Sequence, residues 1–393
     1  MNQWLKSLLC IMLCFVIINC SYALSDYEAF NSKVIKAFKD YNVVGASFIV
    51  YQKGIKIAEY YYGYSDKRNA IKVSHDTKFK IASVTKMVCA IGLMKLVEQG
   101  DISLDDDIGD ILGYKIRNPK FPNVPITVRM LASHTSSIID SERFAHARGT
   151  LDQMVGPKRI NDNAFSQYKP GTKFIYSNFG FGIIGSIIEK VSGQTVQEFM
   201  KENVFDPINI DAGFSVEEIK GKNVAARYYE GKETESIRSM ERQMLSDEAD
   251  AENNYNVSVG KLLISADDLS KILIALSGNG FVNGASLLSS KSVEQMRTNT
   301  NSNGIITANS PYTVGIEKKT DIIDGVELYG HQGLYYSAYC DAFYDPLNQI
   351  TIVLLTNGMK IVRINGTNAL ARQLIMLTYK YIADTEDPFL VKE

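Results

Sequence analysis

The strand-forming stretches of this chain lie at its two ends. ASFIVY (46–51) and IKIAEYYY (55–62) come early, and VELYG (326–330), SAYCDAFY (337–344) and ITIVLLT (350–356) come late. All are rich in β-branched and aromatic residues, which suit a pleated, buried surface. Gln52-Lys53-Gly54 separates the first two as a hairpin, and Asp345-Pro346-Leu347-Asn348 is a turn before the last. YTVGIE (312–317) reads as a further strand, and VELYG is expected to end at Gly330. From about Thr77 to Thr300 the chain is mostly helix-like segments and polar loops. Helical spacing also flanks the strands: residues 26–41 place Tyr27, Phe30, Val34, Ile35, Phe38 and Tyr41 on one face, and 367–382 close the chain as a helix.

This order predicts an α+β fold: one antiparallel sheet built from N- and C-terminal strands, flanked by the terminal helices, with a mostly helical inserted domain. The domain is expected over 24–385, with its sheet part at about 26–76 and 305–385, its helical insert at about 77–304, and 386–393 as a tail. At 393 residues and 45% hydrophobic content the chain can bury such a core. A functional site belongs in the cleft between sheet and insert.

Lys plus Arg is 42 and Asp plus Glu is 44, and no basic run recommends a nucleic-acid partner. The acidic stretch LDDDIGD (104–110) reads as a solvated helix entry, since it lacks the twelve-residue calcium-loop pattern. Four scattered His give no paired metal spacing, and no cofactor is implied. His75 and His146 read as solvated, and His134, in SHTSS, as a residue that pins a loop.

MNQWLK followed by LLCIMLCFVII (8–18) has the shape of a signal peptide, too short to span a bilayer, with cleavage after Ala23. The expected location is therefore secreted or periplasmic. A rival reading takes Cys20 as a lipid-bearing first residue, which alone would attach the protein to a membrane surface; Asn19 is a poor neighbour for it and ranks it second. Cys10, Cys14 and Cys20 lie in this leader, leaving Cys89 and Cys340, which read first as buried free thiols and second as a disulfide.

Ser-x-x-Lys occurs three times, at Ser83–Lys86, Ser166–Lys169 and Ser258–Lys261. Lys169 precedes Pro170, which biases it away from a helix. Ser258 follows the polar run ENNYN, and no apolar helix is expected there. Only Ser83 opens a sustained helical pattern, with Met87, Ile91, Met94 and Val97 at three- and four-residue steps. Positions i and i+3 share a face. The unpaired N–H groups of the first turn favour an alkoxide on Ser83 and lower the pKa of Lys86. Tyr-x-Asn occurs once, at Tyr176–Asn178, and His-x-Gly once, at His331–Gly333. Gly180-x-Gly182-x-x-Gly185 imitates a dinucleotide fingerprint but lacks a preceding buried strand, so it reads as helix packing.

In this order the three motifs resemble those of the serine β-lactamase and penicillin-binding-protein family, particularly its class C and D,D-carboxypeptidase-like branch. ITVRMLASHTSSI (126–138), PGTKFIYSNFGFGIIG (170–185) and LLISADDLSKILIAL (262–276) look similar too, and the resemblance runs from about 30 to 385. It implies the β-lactamase/transpeptidase-like fold and an acyl-enzyme on Ser83, with Lys86 and Tyr176 as a coupled base. Asn178 would hold the substrate amide or the Lys86 ammonium. The backbone N–H groups of Ser83 and Leu334 would form the oxyanion hole, and Gly333 would let substrate backbone approach. The chain departs from the family at its third motif, since neither Lys-Thr-Gly nor Lys-Ser-Gly occurs. His331 replaces a fixed cation there and is expected to be partly charged near neutral pH. Ser-Asp-Asn is also absent, against class A. The implied function is an exported serine hydrolase acting on D-amino-acid peptides or related esters and amides. The alternatives are a class C-type β-lactamase, with a β-lactam substrate, and a non-hydrolytic binder of cell-wall peptide.

Overall fold

The computed structural model describes residues 26–145, 149–159, 164–243, 245–298 and 311–385. The predicted leader with Cys10, Cys14 and Cys20, His146, and the tail 386–393 lie outside the described residues. Among the described residues no helix is long and apolar enough to cross a membrane.

Helix α1 (26–40) leads into strands β1 (Gly45–Gln52) and β2 (Ile55–Asp66). The turn between them is Lys53 and Gly54, both left-handed at φ 50° and 76°, which matches the twist of a two-residue hairpin. β3 (Ile71–Lys72) follows, and the sheet resumes after the insert with β4 (Glu317–Lys319), β5 (Leu328–Tyr335), β6 (Ala338–Asp345) and β7 (Ile350–Thr356). The seven strands run β4-β5-β6-β7-β1-β2-β3, antiparallel throughout, so the two ends of the chain meet at β7 and β1. These central strands are buried on both faces, which is why their sequences read as nearly continuous apolar runs.

Alternation sorts the two faces. Phe48, Val50, Ile352 and Leu354 pack outward under α1 and the closing helix α6 (Ala369–Asp384). Ile49, Val353 and Leu355 pack inward against the insert. The insert is organised around α2 (Val84–Gln99), buried on nearly all sides, with α3 (Asn178–Ser192), α4 (Val257–Gly260) and α5 (Ala266–Ser277) around it.

Three sequence expectations need correction. YTVGIE is not a strand: only Glu317 joins one, because Gly315 turns with φ 71° where a Cβ would lie 2.4 Å from Ala90 of α2. The VELYG strand does not stop at Gly330. It runs to Tyr335, so His331 and Gly333 are mid-strand rather than at a strand end. Ser258 does lie in a helix, the single turn α4, where it is buried against Gly182 and Gly185 of α3. Those glycines serve contact between helices: a Cβ on Gly182 would fall 2.1 Å from the Tyr255 carbonyl oxygen, and one on Gly185 2.9 Å from Ser258 Oγ. Ser166 and Lys169 lie outside any helix, as Pro170 leads one to expect.

Candidate active site

The site begins with the turn into α2. Phe79–Lys80 pairs with Leu263–Ile264, and Ile81 donates its N–H to the Leu262 carbonyl at 3.0 Å. Ala82 then adopts φ 48°, a left-handed conformation that costs an alanine roughly 1–2 kcal/mol and is held by its surroundings. Gly260 lies 3.5 Å from Ala82 across this turn, measured from the Cβ a larger residue would carry there. Ser83 follows as the N-cap of α2, yet its hydroxyl makes no capping bond. It is left for Lys86.

Lys86, one turn later, is fully buried. Its Nζ lies 3.1 Å from Ser83 Oγ, 2.9 Å from Asn178 Oδ1 and 2.9 Å from the Val259 carbonyl oxygen. The last two atoms only accept hydrogen bonds. A neutral amine therefore spends both hydrogens on them and turns its lone pair to the Ser83 hydroxyl. Burial lowers the Lys86 pKa to about 7, with the Asp140 charge opposing that shift.

Asp140 fixes the other side. Its carboxylate accepts from Ser177 Oγ (3.1 Å), Asn178 Nδ2 (2.8 Å) and the Phe179 N–H (2.8 Å). That clamp sets the amide of Asn178, first residue of α3, with its oxygen toward Lys86. Tyr176, just before α3, hydrogen-bonds Ser83 and lies with Lys86 Nζ 5.3 Å from its ring centroid. Burial raises its phenol well above the ordinary value, so it stays protonated at neutral pH. His134 packs on the Tyr176 ring at 4.3 Å between centroids and accepts the Ser177 N–H at 3.3 Å through Nδ1. It pins the loop.

β5 crosses in front of this turn. A Cβ on Gly333 would sit 2.3 Å from the Ile81 carbonyl oxygen and 3.1 Å from Ser83 N, so only glycine lets the strand lie there. Leu334 lines the cleft while its side chain packs with the outer core. Gln332 is tied by Nε2 to Glu317 Oε1 at 3.0 Å and accepts from the Tyr339 hydroxyl at 3.0 Å.

His331 does not match the partly charged group expected from its sequence position. It is completely buried beside Tyr312 and Tyr176, and its Nδ1 lies 2.6 Å from the Gln332 carbonyl oxygen. A carbonyl accepts, so Nδ1 carries the proton. Burial, followed by the Lys86 charge, lowers its pKa to about 3. His331 is neutral across the physiological range.

Ser83, Tyr176, Asn178, His331, Leu334 and Tyr335 line one cleft of about 880 Å³. A larger hollow of about 1690 Å³ lies by α6 on the far side of the sheet and holds none of these motif residues. The sequence reading missed Asp140, Tyr312 and the Val259 carbonyl. Asp140 has no motif around it, Tyr312 was one tyrosine among 22, and a backbone carbonyl has no sequence signature at all.

A serine one helical turn before a buried lysine, with Tyr-x-Asn at a second helix start and a strand laid over the serine, is the arrangement expected of a serine hydrolase of the β-lactamase and penicillin-binding-protein type. The Beta-lactamase family model matches residues 30–375, and the chain belongs to that family. It is 28% identical to Protein flp of Staphylococcus aureus over 191 residues, 48% of this chain and 38% of that protein. The chain thus aligns with well under half the length of that curated relative. Among solved structures it is similar to the octameric penicillin-binding protein homologue from Pyrococcus abyssi (26% identity, TM-score 0.69, 90% of this chain and 78% of that one). It shares the fold of the D-amino acid amidase from Ochrobactrum anthropi SV3 (21% identity, TM-score 0.66, 91% and 100%).

Proposed function

We propose that the chain is an exported serine hydrolase that forms an acyl-enzyme through Ser83 on D-amino-acid peptides or related esters and amides. The observation that carries this is the Lys86 amine, pinned by two acceptors so that its lone pair meets the Ser83 hydroxyl. Lys86 takes the proton as Ser83 Oγ bonds to the substrate carbonyl carbon. The N–H groups of Ser83 and Leu334 stabilise the oxyanion. Tyr176 hands its phenolic proton to the leaving nitrogen or oxygen as that bond breaks, and regains one from Lys86. Water repeats the sequence on the acyl-enzyme and frees Ser83.

A class C-type β-lactamase is less well supported, because the neutral His331 supplies no cation where the family's usual third motif has a lysine. A non-hydrolytic binder does not need the base, acid and nucleophile assembled as they are. The test is turnover of a D-Ala-D-Ala peptide, a D-amino acid amide and a short-chain p-nitrophenyl ester against a chromogenic cephalosporin. Faster kcat/KM on the first three supports this reading, and a cephalosporin preference replaces it with the β-lactamase.

The pH dependence follows from the two shifted groups. Lys86 must be neutral to act, so kcat/KM for every substrate falls as pH drops below about 7. Tyr176, raised, adds no alkaline loss near neutrality. His331, flanked by Tyr176, Tyr312, Lys86 and Lys319, stays neutral above about pH 3. The ratio of kcat/KM for the D-Ala-D-Ala peptide to that for a neutral ester is therefore flat between pH 5 and 8, contrary to the rise toward acid that a partly charged imidazole would give. Export is proposed from the leader alone: the mature mass should begin at Leu24, and a diacylglyceryl mass on Cys20 would put the lipoprotein in its place.

A further inference from the structure

Tyr335 ends β5 and walls the cleft that holds Ser83, while keeping 47% of its surface exposed. Its surroundings hold this open ring still. The Arg227 guanidinium lies over it, 3.9 Å from the ring centroid. Arg227 is itself buried, and it pairs with Glu235 across a short hairpin of Arg227–Tyr229 and Lys232–Glu235. The next residue, Tyr336, sets its ring nearly perpendicular to that of Tyr335, at 4.7 Å between centroids.

Tyr336 reaches that place from a strained backbone. It opens the two-residue loop between β5 and β6 with φ 54°, where glycine or asparagine is the ordinary choice. Ser337 ties the loop to the Arg227 hairpin, since its Oγ donates to the Tyr228 carbonyl at 2.7 Å. Strain of this kind persists where the neighbourhood over-determines it, and it gathers at functional sites. Here it braces a half-exposed aromatic ring in the wall of the cleft.

The strand also places this ring relative to the reaction. β5 pairs with β6 in unbroken register through this stretch, so His331, Gly333 and Tyr335 share one side of the sheet. His331 lies beside Tyr176, the acid for the leaving group, at 6.4 Å between ring centroids. Gly333 lies over Ser83, with a Cβ position 3.1 Å from Ser83 N. Tyr335 comes two residues later, about 7 Å past Gly333 and about 13 Å from His331 by strand rise. It therefore stands across Ser83 from Tyr176, on the acyl side. Charge narrows the kind of group it meets. The ring already carries the Arg227 cation, and Lys80, Lys261 and Arg363 line the cleft with no Asp or Glu among its described lining residues. A second cation on the ring would be repelled, whereas an uncharged aromatic ring gains from stacking.

We propose that Tyr335, braced by Arg227 and Tyr336, is the platform on which an aromatic ring in the acyl part of the substrate stacks. This rests on the hydrolase reading above and narrows it to esters and amides of aryl-bearing acids.

p-Nitrophenyl phenylacetate and p-nitrophenyl cyclohexylacetate test it, because they share a leaving group and differ in whether the acyl ring has a π face. With each rate referred to the alkaline hydrolysis of the same ester, kcat/KM is expected to favour the phenylacetate by about threefold to tenfold, the scale of one aromatic pair. Tyr335→Phe should keep that preference and Tyr335→Leu should erase it. Arg227→Lys, which keeps a charge beside Glu235 without the flat guanidinium, should weaken it. Equal rates on the two esters would overturn the proposal. So would an equal fall on both esters in Tyr335→Leu with the preference intact, which would seat the shared nitrophenyl group on Tyr335 instead. Loss of the hydrolase reading would look different: no turnover of either ester and no fluorophosphonate adduct on Ser83. NMR titration of Ser83→Ala with phenylacetamide and cyclohexylacetamide, with and without Tyr335→Leu, reads the platform without any turnover. Tighter binding of phenylacetamide that is lost with the tyrosine upholds the proposal, and equal binding of the two amides ends it.

Discussion

Ser83→Ala is expected to abolish fluorophosphonate labelling and to lower turnover by about 10⁴-fold or more, the scale seen when a nucleophile is removed from an assembled site. The fold should barely notice. Removing a capping hydroxyl costs about 0.5–2 kcal/mol, but Ser83 makes no capping bond, so the loss lies below that range. Circular dichroism and a thermal melt check the fold, and intact mass checks the adduct. An adduct that persists in the variant, mapping to Ser166 or to the buried Ser258, would remove Ser83 from its assigned role.

Lys86→Met and Tyr176→Phe should each lower kcat/KM by roughly 10²–10⁴-fold on a neutral ester, the range for lost general acid–base help. The Lys86 change also leaves Asn178 Oδ1 and the Val259 carbonyl without their donor, so its loss should be the larger. The two groups serve one proton path between Ser83 and the leaving group, so the double variant should lose far less than the product of the single losses. Losses that multiply would mean that Lys86 and Tyr176 act independently. Pre-steady-state bursts in each variant would tell whether acylation or deacylation is slowed.

Motif spacing carried the reading of the site as far as local geometry reaches. Ser83 and Lys86 are three residues apart, so any helix over this stretch brings them to one face; their meeting was legible before any fold was known. Tyr176 and Asn178 meet for a different reason: they are two residues apart across Ser177, the extended cap of α3, and residues two apart share a side in extended backbone. The error over His331 has the opposite cause. Its residue type gives an intrinsic pKa near ~6.5, and only its surroundings say that it is sealed under Tyr312 and Tyr176 and held neutral. The misplaced strand end has a related origin. VELYG looked complete because His331 and Gln332 are polar, and the burial of His331 and half-burial of Gln332 within β5 depend on partners from β4 and β6.

By itself the sequence determined that a main antiparallel sheet is built from the two ends of the chain around a mostly helical insert, and that only the Ser83 copy of Ser-x-x-Lys opens a long helix. Those follow from periodicity and turn chemistry, which act over a few residues. Only the tertiary structure decided that Lys86 is desolvated, that Asp140 sets the Asn178 amide, and that Gly333 must lack a Cβ to cross the Ile81 carbonyl. These depend on atoms far apart in the chain, and burial and charge pairing are properties of that assembled neighbourhood rather than of any residue's own spacing.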